Sequence, residues 1–402
     1  VTGVQTCALP ISGNNVFVGL VDSGVDQAHA QLSGRLFLTP LSPLNDTNGP
    51  TAGHGTHLAA VIAGLDTSDP AAVNGSLAGA SYRGIASGAK VFPLSLYHTD
   101  YTNYCNVWLI TNSYLATNIF IVNNSWGYPV TTYDINSALF DEAVRDMLPF
   151  RTNDQPATLV FAVGNSGGAN TGGTGGSADT INSPGNGKNI ISVGAVEQFR
   201  IVPNSTNATA SATNDPLAVA HSDSANQVAD FSGRGNVGIG IEGPSGRFKP
   251  DLVAPGAYVV SARASTMTTN LQEADAALGS QWRYESGTSV AAGKVSGMLA
   301  LMQEFFSVNF NRTNGLAPSL NKALLINRAR SINGVYDFAV NNTLTHQGWG
   351  MPSLTNMLPA VASVAFLTNS TPVSNRVVLV EESAFRTNHL ATGQYHAYDV
   401  AV

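Results

Sequence analysis

Short β-rich apolar runs alternate with helix-patterned segments along most of this chain. Val16–Val21 (VFVGLV) is followed by a helical stretch at Thr56–Leu65 and a second run at Lys90–Leu96. A helix is expected near Val107–Thr117, then a strand at Ile119–Asn123. Tyr133–Leu148 places Ile135, Leu139, Ala143 and Met147 at helical spacing. Strands at Leu159–Val163 and Ile190–Val196 precede helices at Ser289–Phe306 and Ser319–Ala329. Such alternation implies β-α-β crossovers and a mainly parallel sheet covered by helices, an α/β fold.

The 402 residues suit one large domain or two smaller ones, and 43% hydrophobic residues exclude wholesale disorder. Charged residues make up only 11%, with Gly, Ser, Thr and Asn in their place, which reads as a loop-rich secreted protein. A net charge of −7 without a Lys/Arg cluster argues against nucleic acid or an anionic membrane as partner. No apolar run approaches the ~20 residues that span a bilayer. Two cysteines, Cys7 and Cys105, can build neither a disulfide scaffold nor a zinc site.

Active groups of an open parallel sheet gather at the carboxyl ends of its strands. Asp22 ends the first run, Asn123–Asn124–Ser125 the third and Gly164–Asn165–Ser166 the fourth, while His54 and Ser289 each open a helix. Val21–Asp22–Ser23–Gly24, Gly53–His54–Gly55–Thr56–His57 and Ser286–Gly287–Thr288–Ser289 therefore present an acid, a base and a nucleophile in the order Asp, His, Ser. Between them stand Asn124–Ser125–Trp126–Gly127, Phe161–Ala162–Val163–Gly164–Asn165 and Lys249–Pro250–Asp251–Leu252–Val253–Ala254–Pro255–Gly256, with Gly348–Trp349–Gly350 beyond.

With these motifs the chain resembles the subtilases, the subtilisin-like serine peptidases, from Ser12 to about Pro359. It looks most similar to their oxidatively stable, alkaline bacterial branch with a C-terminal β domain. The resemblance implies a three-layer subtilisin-like fold followed by the start of a β-sandwich. It also implies a secreted monomeric endopeptidase acting on proteins and peptides, with its own pro-segment as a partner. No cofactor is required for the chemistry; a structural calcium ion is a family habit that no residues here assign, and no metal ligand is expected.

Ser289 is a weak nucleophile alone and needs a base within hydrogen-bond reach. His54 is the residue expected to take and return its proton, with Asp22 fixing the tautomer. The Ser289 backbone N–H at a helix start and the Asn165 side-chain amide are expected to hold the oxyanion. Ser125–Trp126–Gly127 offers an edge to which a peptide can add as a strand. By resemblance Ala162–Gly164 lines the specificity pocket, with Asn182 near its base. Without a charged residue in Ile181–Pro184, a broad uncharged preference at the residue before the scissile bond is expected.

Other signals read as structure. His57 is expected to be a packed histidine, Ser23 and Ser286 turn residues and Cys105 a small hydrophobe. Gly233-x-Gly235-x-x-Gly238 and Gly238-x-Gly240-x-x-Gly243 match a dinucleotide pattern without the strand and helix it requires, so a loop is expected. Gly168–Gly176 and Asn204–Pro216 read as surface loops, and the sequons at Asn74, Asn204, Asn207 and Asn341 as chance. Gly293 stands where the family often has proline, and Val290 follows the nucleophile in place of methionine, which suggests oxidant tolerance.

Val1–Ile11 (VTGVQTCALPI) resembles the in-frame translation of a sequencing-library adapter and is set aside as a scar. The peptidase domain is expected over 12–360, truncated at its N-terminal side. An incomplete β domain follows over 368–402, with strands at Val377–Glu381 and Tyr395–Val402. The competing reading is a catalytically silent subtilase-fold binding protein. A sedolisin-type acid peptidase would need Glu in place of His54, and a metallohydrolase has no ligand set.

Overall fold

A computed structural model describes residues 11–39, 42, 46, 52–65, 82–96, 111, 119–198, 221–267, 280–327, 329–332, 344–358, 364–367 and 377–380. Its centre is a six-stranded, wholly parallel sheet. Strands β1 (Phe17–Asp22), β2 (Lys90–Ser95), β3 (Ile121–Asn124), β4 (Thr158–Ala162), β5 (Ile191–Val196) and β6 (Leu252–Pro255) stand in the order β2-β1-β3-β4-β5-β6. The strands read as continuous apolar runs because both faces are covered: β4 and β5 are buried at every position.

Alternate residues feed two cores. Val18 and Leu20 of β1, Val160 and Ala162 of β4 and Val193 and Ala195 of β5 join Leu58 and Ile62 of helix α1 (His54–Ala63). The same layer holds Val290, Val295 and Leu299 of helix α3 (Thr288–Phe310). On the other face Val21, Phe92, Leu159 and Phe161 pack against Phe140, Ala143 and Val144 of helix α2 (Ile135–Arg145). Helix, sheet and helix make the three layers expected. Helix α3 is buried nearly all round through its first nineteen residues, which is why its sequence shows little amphipathic contrast.

Expected strand and helix ends lie within two residues of the observed ones, apart from α2, five residues shorter at Ile135–Arg145 than the expected Tyr133–Leu148, and α3, which runs four residues beyond the expected Phe306 to Phe310. The face of α2 also differs. Ile135 is 71% exposed, and the buried face runs through Ser137, Phe140, Asp141, Ala143 and Val144. Asp134 caps this helix by accepting the Ser137 N–H at 3.0 Å, which rotates Ile135 into the first, solvent-facing turn.

Four strands were not foreseen. One is β6 and one Val364–Leu367; the others form an antiparallel hairpin of β7 (Val259–Ala262) and β8 (Trp282–Glu285), in which Val259 pairs with Glu285. Beyond the sheet lie helix α4 (Pro318–Asn327) and a two-stranded parallel ladder of Val364–Leu367 with Val377–Val380. The expected strand at Tyr395–Val402, the helix near Val107–Thr117 apart from Thr111, Cys7, Cys105, the Asn204–Pro216 loop and the sequons at Asn74, Asn204, Asn207 and Asn341 lie outside the described residues. No described helix is long and apolar enough to cross a membrane.

In this strand order the chain leaves β1 toward one edge of the sheet and β3 toward the other. A crevice therefore opens beyond the carboxyl ends of these two neighbours, the usual ligand position in such sheets. Asp22 and Asn124 end the two strands there.

Candidate active site

Asp22 projects from the last position of β1, 3% exposed, and its Oδ1 lies 2.7 Å from His54 Nδ1. The same oxygen accepts the Ser23 backbone N–H at 2.8 Å. With Nδ1 donating to Asp22, the tautomer leaves Nε2 to face the crevice. Burial opposes protonation of His54, but the carboxylates of Asp22 and Glu285 outweigh it and push the imidazole up to about 9.

His54 is the first residue of α1, entered through Gly53 at φ 87°, a left-handed geometry that suits glycine. The helix start is tied to β1 by a network invisible in the local sequence. Ser23 Oγ donates to Asp46 at 2.7 Å and accepts the Gly55 N–H at 2.9 Å. Thr56 donates its N–H and hydroxyl to the other Asp46 oxygen at 2.8 and 2.6 Å. Asp46 is fully buried, and burial raises its carboxyl above the ordinary range despite these bonds. Ser23, expected as a turn residue, is thus the link that holds the acid and the base in register.

Ser289 is the second residue of α3 and is buried at 9% exposure. Gly287 precedes the helix without a side-chain cap, so the orphan Thr288 N–H is satisfied from elsewhere: Asn165 Oδ1 accepts it at 2.9 Å, together with the Thr288 hydroxyl at 2.9 Å. Asn165, exposed on the turn after β4, then has its amide nitrogen left over. A Cβ built on Gly287 would lie 3.5 Å from Asn165 Nδ2 and 3.7 Å from Ser289 N, so two N–H donors converge on one small space.

Ser289 Oγ donates to the Ser125 carbonyl at 3.1 Å, and Ser125 Oγ returns a bond to the Ser289 carbonyl at 3.0 Å. Asn123 supports Ser125 through Nδ2 at 2.9 Å, and Ser296 of α3 donates to Asn123 at 3.0 Å. The end of β3 and the start of α3 are therefore laced together on both sides of Ser289.

Of the expected substrate-binding residues, Gly127, Gly164 and Asn182 come together. A Cβ on Gly127 would lie 3.2 Å from Asn182 Cβ, and one on Gly164 would lie 2.9 Å from Asn182 Nδ2. Gly164 has φ 94°. Ala162 is buried just behind, 6% exposed. The Trp126 ring packs edge-on against Phe140 and Phe161 at 5.7 and 5.5 Å and is half-buried, which agrees with an edge role carried by the backbone. Beside Asn182, Ser183 Oγ donates to Asp134 at 2.6 Å, which ties that acid into the α2 cap.

His57 is packed, as expected: it is 0% exposed and its Nε2 lies 3.1 Å from the Val259 carbonyl. Burial and the neighbouring Arg283 hold its imidazole well below the ordinary range. Sequence reasoning missed Asp46, the supporting role of Asn123, and Glu285, whose carboxylate lies 3.6 Å from His54 Nε2. Only the last had a usable signal, being an acidic residue four positions before Ser289. Among the described residues no group of three or more His, Cys, Asp or Glu is arranged to hold a metal. The two glycine-rich matches fall in an irregular loop, where Arg234 is buried and donates to the Ser232 carbonyl at 2.8 Å.

A crossover sheet with an acid, a base and a helix-borne serine at its switch point defines the subtilisin-like class of fold and site. Residues 13–350 match the Subtilase family, and the chain belongs to it. It is 27% identical over 302 residues to the serine protease AprX of Bacillus subtilis (strain 168), covering 73% of this chain and 58% of AprX. It is 34% identical over 128 residues to the serine protease/ABC transporter B family protein tagD of Dictyostelium discoideum, covering 29% of this chain and 7% of tagD. The chain thus spans less than two thirds of these relatives. Among solved structures, the self-cleaved protease domain of PatA superposes with a TM-score of 0.53 at 20% identity, covering 88% of this chain and 98% of that one. Fervidolysin from Fervidobacterium pennivorans gives 0.53 at 20% identity, covering 89% and 45%. These superpositions bear on the fold.

Proposed function

We propose that this chain is a serine endopeptidase that cleaves proteins and peptides through an acyl-enzyme on Ser289. His54 Nε2 accepts the Ser289 hydroxyl proton as Oγ bonds to the scissile carbonyl carbon. Asp22 holds the imidazole through Nδ1 and stabilises its cation. The carbonyl oxygen becomes an oxyanion that accepts hydrogen bonds from Asn165 Nδ2 and Ser289 N. Collapse breaks the C–N bond, and the leaving amine takes the proton from His54. Water, deprotonated by the same nitrogen, then hydrolyses the ester and restores Ser289.

The observation that carries this reading is the convergence of the Asn165 amide and the Ser289 N–H on the space beside Gly287. Two donors with one shared focus suit an oxygen that gains charge during reaction. Gly127, Gly164 and Asn182 suggest an uncharged specificity pocket, and Ser125–Gly127 a strand-like docking edge. The chemistry asks for no cofactor, and calcium, where bound, serves structure alone. We extend the reading to an extracellular monomer that meets a pro-segment.

Fluorophosphonate labelling tests it: wild type should label at one serine and Ser289→Ala at none. Absence of labelling in folded wild type overturns it. A catalytically silent binding protein is favoured by one observation, the donation of Ser289 Oγ to Ser125 rather than to His54. Stoichiometric labelling removes that reading.

A further inference from the structure

The acid–base nitrogen of His54 faces a second carboxylate. Glu285, the last residue of β8, lies four positions before Ser289, and its carboxylate sits between the two histidines of α1. Oε1 is 3.6 Å from His54 Nε2, and Oε2 is 3.3 Å from His57 Nδ1. Arg283 Nη2 donates to Oε2 and also to the Gly53 carbonyl at 3.3 Å, which anchors the acid against the turn that opens α1. Glu285 is only 9% exposed, so its charge acts in a poorly screened setting.

His54 therefore has a carboxylate at each ring nitrogen: Asp22 at 2.7 Å from Nδ1 and Glu285 at 3.6 Å from Nε2. Nδ1 donates to Asp22, whereas Glu285 at 3.6 Å from Nε2 lies beyond hydrogen-bond range and acts on the ring through its charge, which favours the imidazolium. Deprotonated Nε2 would instead aim a lone pair at a carboxylate oxygen. Ser289 is turned to Ser125 in this arrangement. The site is thus built around a protonated His54, whereas the reaction begins from the neutral form.

We propose that Glu285 is a positioning residue that holds the His54 imidazolium in the resting site and moves the onset of activity to alkaline pH. The same carboxylate then favours the imidazolium that forms as Ser289 attacks, so its charge helps after the proton has moved and hinders before. The titratable and charged groups around His54 are Asp22 of β1, the neutral His57 of α1, and Arg283 and Glu285 of β8, with Lys294 of α3 acting on His57. Arg283 opposes protonation of His54, and the two carboxylates outweigh it. Burial raises the carboxyl of Glu285, against the pull of His54 and Arg283.

This inference rests on the peptidase reading only for its kinetic consequence, so two measurements separate them. The acid limb of kcat/KM on an uncharged peptide p-nitroanilide should move down by about one pH unit or more in Glu285→Gln, the usual effect of removing a neighbouring charge. Glu285→Asp keeps Arg283 paired and withdraws the charge by one methylene; it should move the limb less, in the same direction. This variant serves where Gln disturbs folding. Independently of turnover, NMR titration of ¹³C-labelled His54 should show the same downward shift between Ser289→Ala and Ser289→Ala/Glu285→Gln. A His54 titration unchanged by both Glu285 substitutions overturns the proposal, whether or not the chain cleaves peptides. A shifted His54 without turnover overturns the peptidase reading alone.

Discussion

Asn165 Oδ1 accepts the Thr288 N–H at 2.9 Å across 123 residues of sequence, and this bond orients both groups of the proposed oxyanion site at once. The carboxamide cannot rotate without losing the cap of α3, so its nitrogen is held toward the space beside Gly287. One side chain thereby joins the turn after β4 to the helix that carries Ser289.

Replacing Asn165 by Asp keeps the acceptor for Thr288 and removes the donor. kcat should fall about 10²–10³-fold, with KM changed far less, a size that comes from a subtilisin donor rather than from this geometry. Asn165→Ala should lose as much activity and also lower the melting temperature, since Thr288 N–H is then uncapped. Steady-state kinetics with thermal melts separate the two effects; an unchanged kcat in Asn165→Asp would remove the amide from the reaction.

Gly127 faces Asn182 with room for a hydrogen and little more. Gly127→Val should narrow the pocket and lower kcat/KM for phenylalanine before the scissile bond at least roughly tenfold relative to alanine. Paired p-nitroanilide substrates read the ratio. A uniform loss on both would place the pocket elsewhere.

Glu197, at the end of β5, is 1% exposed, and burial, with Asp223 and Asp230 adding to it, pushes its carboxyl up to about 8. The folded chain thus keeps this proton to about pH 8, whereas an unfolded glutamate releases it near pH ~4.3. The native state binds more protons between these values, so stability falls as pH rises through that window. Glu197→Gln should leave the melting temperature nearly unchanged at pH 4 and raise it by at least about 2–4 °C at pH 9. Thermal melts across the range check both the sign and the window.

Two glycines of α3 make opposite predictions. A Cβ on Gly293 would meet Val61 and Leu58 of α1 at 3.4 and 3.6 Å, ordinary contact distances. Gly293→Ala should therefore stabilise by about 1 kcal/mol through helix propensity. A Cβ on Gly297 would lie 2.7 Å from Ile85 Cβ. Gly297→Ala should destabilise by about 1–3 kcal/mol through overpacking. Denaturant unfolding of the two variants reads the difference directly.

The strands β1 to β5 are legible in the sequence because burial on both faces demands short, largely apolar runs. The hairpin strand Trp282–Glu285 was not, since it carries Arg283 and Glu285 as buried residues that only each other and the two histidines make tolerable. β6 escaped notice for a related reason: Leu252–Pro255 is short and ends in proline, which fits a sheet edge. The face of α2 was misread because the Asp134 cap, rather than the spacing of Ile135 and Leu139, sets where the helix begins.

The sequence by itself determined five of the six sheet strands and their helical cover, and it marked Asp22 and Asn165 after strands and His54 and Ser289 at helix starts. Strand periodicity and turn chemistry are written within a few neighbouring residues, so they can be read without coordinates. Tertiary structure alone decided that Asp46 ties Ser23 to the start of α1, that Trp126 turns inward and that Glu285 faces His54 Nε2. Those relationships join segments far apart in the chain, and their energies depend on distance and burial that no local pattern records.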